Sequence, residues 1–192
     1  MNRQHDRVLT ARSRTATSSF MKQTSEALIR PARTPDDMTA AATLFRAYAD
    51  WLDIDLSYQD FEAELAALPG KYAPPKGEIL LAQDAHGKVV GCVGLRPMEP
   101  DGVCEMKRLY VAPEGRGLGL GNRLVEAIVQ TAELAGYSEM RLDTLPTMKS
   151  AITLYERHGF EPMERYYDTP IAETVFFRRK LVTDSIGGHK VG

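Results

Sequence analysis

Apolar residues recur along the front of the chain at a spacing of three or four, which is typical of helices with one buried face. The segment Thr34-Pro35-Asp36-Asp37 predicts the start of a helix that runs to about Trp51, because a hydroxyl cap, an early proline and acids in the first turn all favour a helix start. A second helix is predicted over Tyr58–Leu68, with Ser57 as its cap and Pro69-Gly70 at its end.

Short runs between turn-forming residues predict strands. Glu26–Arg30 precedes both helices and is predicted to be the first strand. Three more strands are predicted after the helices, over Glu78–Gln83, Lys88–Arg96 and Val103–Val111. The turns Asp84–Gly87 and Glu99–Gly102 are short, so these three strands are expected to be antiparallel neighbours.

The second half of the chain alternates helix and strand and then ends on two strands. The predicted elements are a helix over Gly117–Ala135, a strand over Tyr137–Asp143, a helix over Thr147–His158, and strands over Phe160–Tyr167 and Glu173–Leu181. Gly136 and Gly159 stand where a left-handed residue ends each helix. The order βααβββαβαββ predicts an α/β fold with one mixed sheet and helices on both of its faces.

The two ends of the chain show no hydrophobic periodicity, so the predicted domain is limited to residues 26–182. Residues 1–25 are rich in Arg, Ser and Thr and poor in acids. A disordered extension is expected there, although the composition also fits an organelle transit peptide, and Met21 is an alternative start. Residues 183–192, which contain Gly187-Gly188, are expected to form a flexible tail.

Composition argues against several classes of function. A formal net charge of −2 and a pI of about 6.1 do not favour binding to nucleic-acid phosphates. No apolar run approaches the roughly 20 residues that a membrane span needs, so we expect no membrane association and a cytoplasmic protein. Cys92 and Cys104 lack the spacing of a zinc site, so no metal is expected. A disulfide between them is an alternative, but two buried free thiols are favoured.

The strongest chemical signal lies where the strand ending at Val111 meets the next helix. There the segment Arg116-Gly-Leu-Gly-Leu-Gly121 places three glycines at alternate positions. Glycine lets the backbone approach a ligand closely, and the first N–H groups of a helix have no partner within it. The positive end of the helix dipole adds to their attraction. The turn therefore predicts a pyrophosphate site, with the charge of Arg116 at its edge.

Three other interpretations compete for this turn. A Rossmann dinucleotide site needs GxGxxG within a βαβ unit, whereas here the glycines stand at 117, 119 and 121 after three antiparallel strands. A P-loop needs Gly-Lys-Ser/Thr, which does not follow. A flexible helix entry without a ligand is the third, and an isolated glycine cluster would favour it. The context of the rest of the chain favours the pyrophosphate site.

The turn and a second motif together resemble the GNAT acetyltransferases. Arg116–Gly121 matches their Arg/Gln-x-x-Gly-x-Gly/Ala motif, and Ala151-Ile-Thr-Leu-Tyr155-Glu-Arg-His-Gly159-Phe160 matches their Ala-x-x-x-Tyr-x-x-x-Gly-Phe signature. Cys104–Val111 and Arg141–Leu145 also look like a subgroup that acts on small molecules. The resemblance implies the GNAT fold, acetyl-CoA as co-substrate and acetyl transfer to an amine.

In that family the strand before the glycine turn splays from its neighbour, and the pantetheine arm of CoA enters the gap. The resemblance therefore implies cofactor contacts from Leu109, Val111, Arg116, Gly117, Leu118, Gly119 and Gly121. It also implies that Tyr155 protonates the departing thiolate. The family often has Asn three residues before its second signature, and Met148 stands there instead, so one polar contact to the cofactor is not expected.

Acetyl transfer requires the acceptor to lose a proton, because a free alkylammonium has a pKa of about 10.4. Glu105 is the candidate base, since it lies on the strand beside the cofactor, where related enzymes carry a carboxylate. Strand alternation predicts that it shares one face with Lys107, Leu109 and Val111. Two alternatives stay open: Glu105 only pairs with Lys107 or with a cation on a neighbouring strand, or water carries the proton. The backbone N–H of Val111 is the candidate donor to the thioester oxygen.

The acceptor pocket is expected to involve Tyr48, Tyr72 and Arg96, although each also fits an ordinary core or surface position. If Arg96 and Arg108 face the pocket, a carboxylate-bearing amine such as an amino acid would fit. The expected partner is a small-molecule amine, with protein N-termini or lysines as alternative acceptors. A non-catalytic acyl-CoA-binding module is the alternative to an enzyme. Monomer and homodimer both fit the sequence.

Overall fold

The computed structural model describes residues 27–52 and 59–182. The predicted extension, the predicted tail and the predicted cap Ser57 lie outside these residues. The strands are β1 (Leu28–Pro31), β2 (Glu78–Gln83), β3 (Val89–Met98), β4 (Val103–Val111), β5 (Glu139–Thr144), β6 (Glu161–Met163) and β7 (Val175–Lys180). The α-helices are α1 (Pro35–Leu52), α2 (Phe61–Ala66), α3 (Leu120–Leu134) and α4 (Lys149–Arg157). Their order confirms the predicted βααβββαβαββ arrangement.

The seven strands form one mixed sheet in the order β1-β2-β3-β4-β5-β7-β6. Only β4 and β5 run parallel, and the other neighbouring pairs are antiparallel. The pairing between β4 and β5 joins Val103–Glu105 to Glu139–Arg141 and does not extend to the C-terminal halves of the two strands. A gap therefore opens in the middle of the sheet.

Two hydrophobic clusters lie on opposite faces of the sheet, as the alternation of side chains in a strand requires. In β2, Leu80 and Ala82 pack towards α3, whereas Ile79 and Leu81 pack towards α1. Buried strands such as β2 therefore read as continuous apolar runs. The helices on the two faces hold β4 and β5 in the centre of the molecule.

A β-bulge in β4 interrupts this alternation. Cys92 pairs with Tyr110 and Gly94 with Lys107, so two steps along β3 correspond to three along β4. The extra residue lies next to Arg108, whose φ of 59° is left-handed. Beyond the bulge, Leu109 and Val111 pack against the cluster that contains Met106. The prediction that they share a face with Glu105 was wrong, because one inserted residue exchanges the two faces.

Some predicted boundaries also differ from those of the structure. The second helix starts at Phe61, after Asp60 in the left-handed region with a φ of 53°. Strand β6 is limited to Glu161–Met163, so Tyr166 and Tyr167 lie in the connection to β7 rather than in a strand.

Several other predictions agree with the structure. Gly136 and Gly159 have φ values of 85° and 77° and follow their helices as predicted. Cys92 and Cys104 are buried free thiols, also as predicted.

Two further findings concern the part of the chain that the structure describes. Within it, every helix is too short or too polar to cross a lipid bilayer. In the same residues, no three or more His, Cys, Asp or Glu side chains come together as ligands for a metal ion.

Candidate active site

The gap between β4 and β5 holds a narrow cavity of about 40 Å³. Side chains and backbone from both strands, α1, α4 and the connection before β7 surround it, and they include Tyr48, Met106, Lys107, Leu109, Leu142, Asp143, Met148, Tyr155, Ile171 and Thr174. A slot between two strands can hold a thin extended chain against backbone groups. Among these residues, sequence reasoning missed Ile171 and Thr174, which belong to no motif, and it gave no role to Asp143 within the segment Arg141–Leu145.

The backbone of Leu109 and Val111 faces this gap. The N–H of Ala112 donates to the carbonyl of Val90 on β3 at 2.9 Å, so alternation turns the backbone groups of Val111 to the opposite side. The carbonyl of Val111 instead accepts from Nε of Arg116 at 3.4 Å. Leu109, two residues earlier, lines the gap cavity itself. The predicted backbone contacts to the cofactor arm are therefore geometrically available.

The glycine turn has the shape that an anion site needs. Gly117 and Gly119 have φ values of 80° and 69°, which L-amino acids with side chains rarely adopt. A Cβ atom added at either position would meet nothing within 4 Å, so the backbone borders open space. Helix α3 begins at the next residue, Leu120, and its first N–H groups have no carbonyl one turn back to bond with.

A cavity of about 300 Å³ lies beside this turn. Five predicted cofactor residues line it together: Val111, Arg116, Gly117, Gly119 and Gly121. The opposite wall is the face of α4 that carries Ser150, Leu154 and Arg157. Sequence reasoning missed this face, although spacings of four and three along a helix signal a common side. The side chain of Leu118 is half exposed and does not line this cavity.

Arg116 and Trp51 form the outer edge of the same region. The guanidinium carbon of Arg116 lies 5.7 Å from the centre of the Trp51 ring, within the range of a cation–π contact. Trp51 is half exposed and also lies 6.2 Å from the ring of Tyr110. This contact holds a positive charge close to the glycine turn.

Tyr155 is positioned by α4 against the gap. Its ring packs edge-on against Phe160 at 6.0 Å and lies 6.4 Å from Phe177. Burial raises the pKa of its phenol, and the nearby Tyr48 and Asp143 raise it further. The hydroxyl is therefore neutral at physiological pH, which is the state that a proton donor requires.

Glu105 is almost completely buried and fully engaged. Its Oε2 accepts from Nε of Arg96 at 2.7 Å, and Nη2 of Arg96 lies at 2.6 Å. Its Oε1 accepts from the hydroxyl of Tyr166 at 2.7 Å, and Nζ of Lys107 lies 3.9 Å away. The sequence left open the alternative that Glu105 pairs with a cation on a neighbouring strand, and Arg96 on β3 is such a cation.

Lys107 and Asp143 face each other across the gap. Nζ of Lys107 donates to Oδ1 of Asp143 at 2.7 Å, and the hydroxyl of Tyr167 donates to Oδ2 at 3.1 Å. Burial alone would raise the pKa of Asp143, but the charge and hydrogen bonds of its partners outweigh burial and lower it. The pair therefore links the two separated strands with opposite charges.

The three candidate acceptor residues have different positions. Tyr48 lines the gap. Tyr72 is buried in the core, and its hydroxyl donates to Glu64 at 3.0 Å. Arg96 lines a separate cavity of about 320 Å³, together with Lys71, Glu105, Lys107, Tyr166, Tyr167 and Asp168.

Arg108 also lines the gap, but its guanidinium is already paired within the protein. Its side chain is 2% exposed and donates to both carboxylate oxygens of Glu64 on α2. The guanidinium of Arg96 is also engaged, by Glu105. Both cations are therefore compensated by carboxylates of this chain.

Comparisons with known proteins found a matching family model and related proteins. The family model described as "Acetyltransferase (GNAT) family" matches residues 40–160. An uncharacterized N-acetyltransferase of Schizosaccharomyces pombe is 43% identical over 161 residues, which cover 84% of this chain and 99% of that protein. The chain belongs to the GNAT family of acetyltransferases. This confirms the resemblance that the two sequence motifs indicated. As a member of this family, the protein is an acyltransferase.

Further similarities support the same family. An uncharacterized N-acetyltransferase of Dictyostelium discoideum is 30% identical, over 70% of this chain and 89% of its own length. The crystal structure of a GNAT acetyltransferase from Staphylococcus aureus superimposes with a TM-score of 0.69, over 81% of this chain and 99% of that one. Because the two sequences are only 20% identical, the similarity to the Staphylococcus aureus structure shows the fold alone.

Proposed function

We propose that this GNAT protein transfers the acetyl group of acetyl-CoA to the amine of a small molecule, by direct attack in a ternary complex. The observation that supports this most strongly is the connection between two sites. Val111 lines the cavity at the glycine turn, and Leu109, on the same strand and two residues earlier, lines the gap between β4 and β5. One ligand with a diphosphate and a thin arm fits both.

The residues at the turn fit the diphosphate of CoA. The first amides of α3 and the guanidinium of Arg116 would hold it, since unpaired helix N–H groups and a nearby cation favour anions. Gly117 and Gly119 leave the backbone uncovered there. The backbone groups of Leu109 and Val111 would bind the pantetheine arm along the gap.

The gap supplies the groups that acetyl transfer needs. Bound acetyl-CoA would provide an activated acyl carbon in its thioester. The N–H of Val111 is the proposed donor to the thioester oxygen, and Leu109 offers a second backbone group beside it. The phenol of Tyr155 would donate its proton to the departing sulfur.

The proton of the acceptor amine is proposed to leave through water. Glu105 remains a candidate base, but both of its oxygens already accept hydrogen bonds from Arg96 and Tyr166. A carboxylate that is held by a guanidinium and a phenol in this way is better suited to orient its neighbours than to take a proton directly. The contacts therefore support the water-relayed route.

The cavity lined by Arg96 is the proposed acceptor site. It shares Lys107 with the gap, so an amine bound there would lie next to the proposed position of the thioester. Its volume of about 320 Å³ is at the small end of the range for ligand pockets. Tyr166, Tyr167 and Asp168 cover one side of it.

A thiol-release assay with acetyl-CoA tests the proposal. The acceptors would be amino acids, polyamines and aminoglycosides, with peptides that carry free N-termini or lysines in parallel. Turnover with a small amine is the expected result. Turnover with peptides alone would overturn the small-molecule assignment. Tight CoA binding without thiol release would indicate a non-catalytic acyl-CoA module. A protein that does not bind CoA at all would overturn the cofactor site.

A further inference from the structure

The bulge in β4 holds a residue in an unfavourable conformation. Arg108 has a φ of 59°, a conformation that is sterically unfavourable for an L-residue other than glycine. Such a residue persists only where its surroundings impose the conformation. The side chain of Arg108 is held by contacts with α2.

Glu64 on α2 binds this side chain in a bidentate arrangement. Nε of Arg108 donates to Oε1 at 2.9 Å, and Nη2 donates to Oε2 at 3.1 Å. The face of the guanidinium packs on the Phe61 ring, with its carbon 4.9 Å from the ring centre. Side-chain exposures of 2% for Arg108 and 12% for Glu64 keep water away from the pair. A planar fork held on two oxygens fixes direction as well as distance.

The helix that carries Glu64 is itself held by local contacts. The N–H of Glu64 donates to the carbonyl of Asp60 at 2.9 Å, and Asp60 is left-handed, with a φ of 53°. The hydroxyl of Tyr72 donates to Oε1 of Glu64 at 3.0 Å. In the described part of the chain, Asp60 and Arg108 are the two non-glycine residues with positive φ. Glu64 is hydrogen-bonded to both of them, to Asp60 through its backbone and to Arg108 through its side chain.

The bulge determines which backbone groups face the gap. With the extra residue in place, the groups of Tyr110 and Ala112 face β3, and those of Leu109 and Val111 face the gap. A strand without the bulge would shift by one residue, and the two sets would exchange places. The groups proposed to bind the pantetheine arm and the thioester oxygen therefore depend on the conformation of Arg108.

We propose that Glu64 is a positioning residue of this acetyltransferase, which holds Arg108 left-handed and thereby directs the amides of Leu109 and Val111 at the thioester. This inference rests on the proposed function. Glu64 lines a neighbouring cavity of about 450 Å³ rather than the gap, so it acts through another residue. That residue is Arg108, which donates to both of its oxygens, whereas Nη1 of Arg96 lies 3.9 Å from Oε2, beyond hydrogen-bond distance.

The test is Glu64→Gln, which keeps the shape of the side chain and removes its charge. We expect kcat to fall about tenfold or more, the scale of effect of a displaced group in an active site. The affinity for CoA, measured by calorimetry, should fall by a smaller factor than kcat, because the diphosphate contacts on α3 remain and only the contacts to the pantetheine arm are disturbed. Glu62→Gln is the matched control, since Glu62 pairs with Arg46 at the exposed surface of the same helix. It should leave turnover unchanged.

A rescue separates positioning from general stabilisation. In the Glu64→Gln background, Arg108→Gly should recover part of kcat, because glycine adopts a φ of 59° without steric cost. A merely structural role predicts further loss instead, since the large Arg108 side chain is removed. Hydrogen exchange at Leu109–Val111 provides a readout without an acceptor, and the Glu64→Gln variant should exchange faster there.

Each unfavourable outcome has a distinct meaning. Wild-type protein that releases no thiol with any amine would overturn the proposed function. If the wild-type protein and Glu64→Gln have the same kcat, and hydrogen exchange at Leu109–Val111 is also unchanged, the positioning role alone is overturned. If Glu64→Gln does not fold, Tyr72→Phe loosens the same carboxylate without removing a charge. An unaltered kcat in that folded variant would then count against the proposal.

Discussion

Tyr155 is the residue whose burial and position agree best with a chemical role. It lines the gap, and burial keeps its phenol protonated. We predict that Tyr155→Phe lowers kcat about a hundredfold, the scale of general acid catalysis. The fold should persist, since the ring contacts to Phe160 and Phe177 remain. CoA affinity measured by calorimetry should stay the same, and an unchanged kcat would refute the acid role.

The hydrogen-bond partners of Glu105 favour a structural role for this carboxylate over a role as a base. We predict that Glu105→Gln lowers the free energy of unfolding by roughly 1–3 kcal/mol, because Arg96 loses the nearer of its two buried counter-charges and keeps only Glu64 at 3.9 Å. Urea unfolding monitored by circular dichroism measures this. The shape of the pH profile of turnover should stay the same if water carries the proton. A profile that loses one of its limbs would instead identify Glu105 as the base.

At the scale of the elements, substitutions in the turn before α3 can separate the effect of a side chain's charge on CoA binding from the effect of its size. Gly119→Asp and Gly119→Asn add side chains of nearly equal size, and both residues tolerate a φ of 69° better than most. Neither Cβ meets an atom within 4 Å. We predict that the Asp variant binds CoA about tenfold more weakly than the Asn variant, since only Asp repels the diphosphate. Calorimetric titration with CoA measures the ratio, and equal losses would contradict an anion site.

The elements themselves were largely predictable, and their ends less so. Periodicity and caps placed α1 and α3 well, because these helices are long and strongly amphipathic. Strand β6 was predicted to be longer than it is. The aromatic pair Tyr166-Tyr167 has a high strand propensity, but their hydroxyls bond to Glu105 and Asp143 instead. Tertiary contacts overrode the local preference.

At the scale of the whole molecule, buried ion pairs tie the two halves of the site together. Glu64–Arg108 joins α2 to β4, Glu105–Arg96 joins β4 to β3, and Asp143–Lys107 spans the gap. Because each of these carboxylates is paired with one cation, the three pairs hold the strands and α2 in position and add no net charge to the site.

These pairs predict how stability depends on pH. Burial would raise the pKa of Glu64, but Arg108, Tyr72 and Arg96 together outweigh burial and hold it below its ordinary value of 4.5. A lowered folded pKa gives stability that is fully present above 4.5 and is lost as the pH falls below it. We therefore predict that the free energy of unfolding declines from pH 5 towards pH 3.

Glu64→Gln is the comparison for this pH prediction. It should lose stability at pH 7 and show a flatter acid decline, because one titrating group has been removed. Urea unfolding at several pH values measures both slopes. Parallel curves for the two proteins would contradict the assignment of this decline to Glu64.

The sequence by itself determined the order of the elements, the family and the glycine turn. Each of these depends on local properties: hydrophobic spacing, caps, and backbone conformations that favour glycine, as at Gly117 and Gly119. Two motifs at a fixed separation then identified the GNAT acetyltransferases.

Only the tertiary structure decided which groups face each other in the site. Glu64 and Arg108 are 44 positions apart, and Tyr166 and Glu105 are 61 apart, so no local pattern pairs them. The bulge at Arg108 reverses the alternation that the sequence predicted for Leu109 and Val111. A single inserted residue is invisible to period-two reasoning, because the packing of β4 against β3 and α2 determines where it is accommodated.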